Sequence, residues 1–341
     1  MIKHWPQRLS LAQTPTPLQP LKRLSEQLGG PNIWVKRDDL TGSILSGNKV
    51  RKLEFTLARA LNKKCDVLIT CGGLQSNHCR ATAFLGAQLG LKVHLILRGE
   101  TENFDGNLLL DQLAGATITM VPKTRYQSSL DNILASTAQQ YYASNSKPFI
   151  IPTGASDGVG VWGYLAAYQE LQKDLAEHNI KPEAIICATG SGGTQAGLTL
   201  GRYLNGHDTS ITGMAVCDDA EYFSHKVTQD IQQFYEQYSD HLSHKKQDMP
   251  SSQQLNIHTN DKYIGSGYGI ASDEVLQTIA WLAQTEGLLL DPVYTGKAFY
   301  GLIQEIEQGT YKHCKDIVFI HTGGSFGIFP YKEQFKKCLS L

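Results

Sequence analysis

The sequence predicts an α/β fold of open, mostly parallel sheets with helices on both faces. Short apolar runs alternate with segments of helical period, the runs are rich in Val and Ile, and glycine-rich loops follow several of them. A run without polar alternation fits a strand buried on both faces, as in parallel sheets. Alternation of strands with helices then gives a doubly wound design.

In chain order the expected strands are Asp66–Thr70, Lys92–Leu97, Thr117–Val121, Pro148–Pro152, Ala184–Ala188, Ile211–Val216 and Asp316–His321. Val161, Tyr164, Leu165, Tyr168, Leu171 and Leu175 recur at helical spacing and make one apolar face. Another helix is expected after Ser272 as N-cap, with Val275, Leu276, Ile279 and Leu282 inward and a stop at Gly287. The polar stretch Ser224–Asp261 reads as surface helix plus loop. No internal repeat or low-complexity tract interrupts the chain.

A chain of 341 residues, 41% hydrophobic, can bury a large core, and two domains or one large body with an insert is the natural expectation. Charged residues make 18% of the chain, below the usual average of about 25%. With 32 glycines this suggests many tight turns and a sizeable pocket. Lys plus Arg is 31 against 32 for Asp plus Glu, so no basic field for nucleic acid is expected. The seven cysteines are odd in number and form no C-x-x-C pair, which argues against a disulfide framework or a zinc ribbon. No apolar leader region follows the first residues and no apolar run is long enough for a membrane span, so a cytoplasmic protein is expected.

The loops carry the chemistry, because ligands in such sheets sit at the carboxyl ends of strands. Ser46–Glu54 places Lys49 and Lys52 beside glycine just before a helix. A lysine desolvated there could be nucleophilic and form a Schiff base, although a solvated basic helix start is the commoner reason for such a pattern. Cys71–His78 puts Ser76, Asn77 and Gln75 at a helix start after glycines; it suits a carboxylate or an aromatic hydroxyl, and a capped turn explains it equally. Thr189–Gly197 combines successive backbone N–H groups, two hydroxyls and a helix N-terminus into an anion cradle. The third glycine of a dinucleotide fingerprint would fall at Gln195, and no G-K-[ST] follows, so one phosphate monoester fits better than a nucleotide. A glycine-rich turn without ligand is the alternative. Tyr263–Gly269 and Asp291–Lys297 each set a tyrosine beside glycine, usually a packed aromatic at a turn. His321–Ser325 ends the last strand with another glycine-rich turn. One phosphate loop, one candidate imine lysine and several hydroxyl-lined turns together suggest pyridoxal phosphate.

The residues Thr14–Leu18, Lys36–Leu40, Gly47–Glu54, Gln75–His78, Gly190–Thr194 and Asp291–Lys297 form six ordered motifs over most of the chain. On these the chain resembles the tryptophan-synthase-β-like, fold type II pyridoxal phosphate enzymes. Within them it is similar to the branch holding D-cysteine desulfhydrase and 1-aminocyclopropane-1-carboxylate deaminase. The resemblance implies a two-domain enzyme, with residues 46–155 forming a small domain between residues 1–45 and 156–341 of the large cofactor domain. It implies a homodimer and a small amino-acid substrate.

The resemblance also implies roles. Lys49, rather than Lys52, would be the Schiff-base lysine. Asn77 would meet the ring hydroxyl, and Gly190, Ser191, Gly192, Gly193 and Thr194 the phosphate. Ser76, Asn77 and His78 would meet the substrate carboxylate, with Ser76 near the reacting carbon and Tyr268 and Tyr294 flanking the substrate. Thr295 and Thr322 stand where the ring-opening branch has Glu and Leu, and one of them would face the pyridine nitrogen. A hydroxyl there protonates the ring less than a carboxylate, which suits expulsion of sulfide better than ring opening. The implied reaction takes D-cysteine to pyruvate, ammonia and hydrogen sulfide, with Lys49 as general base. Alternatives are cyclopropane deamination, elimination from another β-substituted alanine such as cysteate, or a non-catalytic binder.

Overall fold

The computed structural model describes residues 2–243 and 249–339. The strands are β1 (Leu18–Pro20), β2 (Asn32–Lys36), β3 (Val67–Gly73), β4 (Lys92–Arg98), β5 (Thr117–Val121), β6 (Pro148–Ile150), β7 (Ala184–Thr189), β8 (Ser210–Ala215), β9 (His258–Asn260) and β10 (Asp316–Ile320). The helices are α1 (Lys22–Leu28), α2 (Asn48–Asn62), α3 (Asn77–Gln88), α4 (Gly106–Leu113), α5 (Lys123–Ala143), α6 (Val161–Glu177), α7 (Gly193–Asn205), α8 (Ala220–Tyr238), α9 (Ser252–Leu255), α10 (Asp273–Glu286), α11 (Thr295–Glu307) and α12 (Lys332–Cys338).

Two sheets organise them. One runs β1-β2-β10-β7-β8-β9, and the other β5-β4-β3-β6. Every pairing is parallel except β1 with β2. All strands of the second sheet come from residues 67–150, whereas the first draws on both ends of the chain.

Side chains alternate across each sheet and bury both faces. Ile33, Val35, Ile186, Ile317 and Phe319 meet Val275, Ile279, Leu282 and Phe299 on one side. Trp34, Ile185, Cys187, Val318 and Ile320 meet Tyr164, Tyr168, Leu171 and Leu198 on the other. In the second sheet Leu68, Val93, Leu95 and Leu97 pack with α2 and α3, and Val67, Ile69, Ile96 and Val121 pack with α5. This double burial is why the runs read as unalternating.

All seven expected strands are present, within a few residues of their expected ends. Of the additional strands, β1 and β9 have three residues each, and β2 has an Ile-Trp-Val run of only three apolar residues between Asn32 and Lys36. The surface helix expected at the start of Ser224–Asp261 is α8, which is amphipathic rather than polar throughout. Helix α8 buries Phe223, Val227, Ile231, Phe234 and Tyr235, four of them at helical spacing, in a cluster with Trp162. Its outward Gln and His residues hid that stripe. The stretch also holds α9 and β9, and its residues 244–248 lie outside the described residues.

Helix α2 is fixed by two contacts. A side chain at Gly163 of α6 would lie 2.7 Å from the backbone of Arg51 and Lys52, so the helices touch main chain to main chain. Beside that contact the Arg51 guanidinium donates to both Asp38 oxygens at 2.7 and 2.9 Å and to Glu170 at 2.9 Å. Tyr164 donates to Asp38 at 2.6 Å, and Lys36 pairs with Glu170 at 2.6 Å. Burial pushes the Glu170 carboxyl up, but the hydrogen bonds and charges of Arg51 and Lys36 outweigh it and hold it at about 2. The folded value lies below the ordinary 4.5, so this stabilisation is complete above that pH and is lost as pH falls toward 2.

Removing one partner of a buried pair leaves the other uncompensated. Arg51→Met should therefore lower unfolding free energy by about 3–5 kcal/mol, read by urea denaturation near neutral pH. A loss below about 1 kcal/mol, the size of an exposed pair, would show that the network carries little.

Candidate active site

Helices α2, α3, α7 and α11 all begin at one cavity of about 910 Å³, walled by Asn48 and Lys49, Ser76 and Asn77, Gly192 and Thr194, and Tyr294 respectively. Their positive ends make the cavity hospitable to anions.

Lys49 occupies the first turn of α2. Gly47 before it has φ +113°, and a side chain there would lie 2.5 Å from the Thr322 carbonyl oxygen. The Asn48 N–H donates to that same oxygen at 3.1 Å. The Lys49 amine donates to Asn48 Oδ1 at 2.8 Å and lies 5.8 Å from the Tyr294 ring centroid. Asn48 in turn donates to Thr194 Oγ1 at 2.9 Å, linking the lysine to the phosphate-type loop. Burial pushes the Lys49 amine down to about 8; Asp291 opposes this and Arg80 adds to it. Lys52 is buried more deeply, donates to Ser156 Oγ at 3.1 Å and is depressed further, by burial and then by Lys49.

The loop after β7 turns at Gly192, whose φ of +83° favours glycine. A side chain on Gly193 would meet Ser156 Oγ at 2.6 Å. The Gly193 N–H donates to Ser156 Oγ at 3.2 Å, while those of Ser191, Gly192 and Thr194 have no partner among the described residues. Lys226 of α8 lines the same corner and pairs with buried Asp230.

At the start of α3 the Ser76 hydroxyl accepts the Cys79 N–H at 3.2 Å, leaving its own proton free, and the Asn77 and His78 N–H groups have no partner among the described residues. Asn77 Oδ1 accepts from Asn107 at 2.9 Å and Arg80 at 3.2 Å. Those bonds set the amide orientation and leave its NH₂ toward the cavity. Tyr268 and Tyr294 hydroxyls meet at 2.6 Å.

Of the expected site residues, the cavity wall brings together Lys49, Ser76, Asn77, His78, Gly190, Ser191, Gly192, Thr194, Tyr268, Tyr294 and Thr322. Gly193 takes part through its backbone. Thr295 departs from expectation: it is fully buried off the wall, and its hydroxyl donates to Asp291 Oδ1 at 2.8 Å. Of the two, Thr322 is on the wall. The His78 side chain also departs. Thr70 donates to the Ile151 carbonyl, so its oxygen takes the His78 Nε2 proton at 2.8 Å. Burial, then Lys49 and Lys52, hold the ring far below its ordinary pKa, so it is neutral and offers the cavity no side-chain proton. Only its main-chain N–H faces an anion.

Asn48, Ser156, Lys226 and Arg98 also serve the cavity without having been singled out. Arg98 closes strand β4, where the strand-end rule points; Lys226 gave no signal within a polar helix.

These groups fit pyridoxal phosphate. Free N–H groups and a side-chain-free turn suit its phosphate, a lysine whose pKa burial has lowered suits its aldehyde, and an oriented amide donor suits its ring hydroxyl. The family model described as pyridoxal-phosphate dependent enzyme matches residues 9–323. The chain belongs to that family. An Arabidopsis thaliana relative described as a bifunctional, mitochondrial D-cysteine desulfhydrase/1-aminocyclopropane-1-carboxylate deaminase is 39% identical, over 95% of this chain and 80% of its own. A Salmonella choleraesuis (strain SC-B67) D-cysteine desulfhydrase is 38% identical over 95% and 96% of the two chains. The crystal structure of an ACC deaminase homologue superposes with a TM-score of 0.85 at 36% identity, over 97% and 96%. The pyridoxal-phosphate enzyme fold, fold type II, is thus the architecture described above. Among the described residues no helix is long and apolar enough to cross a membrane.

Two outcomes follow for this family member. Only the neutral amine attacks an aldehyde, so the rate at which cofactor-free protein takes up pyridoxal phosphate should rise with pH through about 8, the Lys49 value. Stopped-flow absorbance measures it; a midpoint near the ordinary lysine value of 10.5 would mean the amine is not desolvated. Gly193→Val should weaken cofactor retention in dialysis far more than it lowers Tm, because the side chain displaces Ser156 from the phosphate loop.

Proposed function

We propose that the chain is a β-elimination lyase that converts D-cysteine and water to pyruvate, ammonia and hydrogen sulfide. One observation carries this over cyclopropane opening: where the ring-opening branch has Glu and Leu the chain has Thr295 and Thr322, so neither position brings a carboxylate to the wall. The nearby carboxylate, Asp291, is off the wall and fully engaged. It accepts the N–H groups of Val293, Tyr294 and Thr295 and the Thr295 hydroxyl, all within 2.8–2.9 Å.

When bound, pyridoxal phosphate supplies an electron sink that acidifies the Cα–H bond of the attached amino acid. Lys49 would hold the cofactor and, once displaced by the substrate, remove the Cα proton with its amine, whose pKa burial has lowered. The free N–H groups of Ser191, Gly192 and Thr194 would hold the phosphate. Asn77 would donate to the ring hydroxyl. The Asn77 and His78 N–H groups and the Ser76 hydroxyl would orient the substrate carboxylate. The Tyr268–Tyr294 hydroxyl pair would flank the β-carbon and exclude water. A hydroxyl partner leaves the ring a weaker sink. Sulfide departure tolerates that, because the bonding electrons leave with sulfur, whereas ring opening does not.

The second sheet is the body of the small domain proposed over residues 46–155. A cytoplasmic location belongs to the same reading, supported by free thiols at all seven cysteines, and so does the homodimer that the resemblance implies.

The purified protein should release sulfide and pyruvate from D-cysteine and little ammonia from 1-aminocyclopropane-1-carboxylate, and Lys49→Ala should abolish both products. Coupled pyruvate and sulfide assays read this. A preference for the cyclopropane substrate would overturn the assignment.

A further inference from the structure

On the far side of the tyrosine pair from Lys49 the cavity wall carries Arg98. Strand β4 ends at this residue, and Gly99 after it anchors to Val121 by a 2.9 Å backbone hydrogen bond. The guanidinium lies 4.8 Å over the Tyr268 ring and 5.7 Å from the Tyr126 ring. Tyr268 rests on Gly73, where a side chain would come within 3.2 Å of its ring. These aromatic contacts hold the planar cation in place without consuming its donors. The Arg98 guanidinium makes no hydrogen bond and no ion pair among the described residues. Lys123 lines the same wall and is likewise unpaired. The one carboxylate on the wall, Asp218, pairs with neither.

We propose that Arg98, with Lys123, forms a subsite for an anionic β-substituent of the amino-acid substrate, such as a sulfonate or carboxylate. This rests on the β-elimination reading above and names the substrate class it favours. A part-buried, fixed guanidinium with free donors in a pocket recognises an oxyanion through charge-assisted hydrogen bonds. Its donors are free, whereas Lys226, the cation at the corner of the phosphate loop, is already paired with Asp230. The same field favours any β-substituent that leaves as an anion, sulfide included. In this subsite D-cysteate would be a better substrate, relative to β-chloro-D-alanine, than an uncharged wall would make it.

The test needs a neutral and an anionic ligand of one shape. D-Aspartate and D-asparagine are such a pair, and their binding to the cofactor-loaded protein is read by the change in cofactor absorption. The wild-type protein should bind aspartate roughly tenfold or more tightly than asparagine. In Arg98→Gln the preference should fall to near parity, in Arg98→Lys most of it should survive, and the cysteate to chloroalanine ratio of kcat/KM should fall with the first variant. Equal binding by the wild-type protein, or an unchanged preference in Arg98→Gln, would overturn the subsite. The wild-type comparison decides the matter even where a variant fails to fold. Absence of pyruvate from every amino acid would strike the elimination reading instead, and the binding comparison would still judge Arg98.

Discussion

The main chain at Gly47 touches the main chain at Thr322 and Gly323, and the rest of the site follows from that contact. A side chain on Gly47 would lie 2.5 Å from the Thr322 oxygen, and one on Gly323 would lie 2.6 Å from Gly47 Cα. Both residues have positive φ, +113° and +82°. Two loops nearly 280 residues apart in sequence can therefore meet only through glycine. The meeting starts α2 at Asn48, points Lys49 into the cavity and sets Thr322 on its wall. Asn48 then bridges to Thr194, so the lysine and the phosphate loop are positioned by one amide.

Electrostatics complete what the contact begins. The helix starts and the cations Arg80 and Lys52 surround Lys49, and burial lowers its pKa to about 8, close to neutral operation. Asp291 opposes the shift from within the protein. Asp291 caps α11 with both carboxylate oxygens engaged, which fixes its position relative to the lysine. Burial raises its pKa, and the donors of Thr295, Tyr294 and Val293 offset that rise only in part. The cost of burying so many charges is offset by pairing them: Arg51 with Asp38 and Glu170, Lys226 with Asp230.

Much of this was legible in the sequence because parallel strands buried on both faces leave apolar runs, and strand-end loops leave glycines. Phosphate chemistry at Gly190–Thr194 could be read from residue types alone, since backbone donors need only glycine and a helix start. What was not legible depended on direction. Thr295 and Thr322 are alike in sequence, but Thr295 opens α11 four residues after Asp291 and turns onto its carboxylate. His78 lies beside Ser76, yet its ring turns away to Thr70. Lys226 and Arg98 reach the cavity only because α8 and β4 happen to end or pass there. The three-residue strands β1 and β9 are paired by tertiary neighbours rather than specified locally.

The attachment point of the cofactor tests this arrangement most directly. Borohydride reduction of the loaded protein, followed by proteolysis and mass mapping, fixes the cofactor on the lysine that holds it. The geometry requires the pyridoxyl mass on Lys49. A label on Lys52 or Lys226, with Lys49 unmodified, would contradict it.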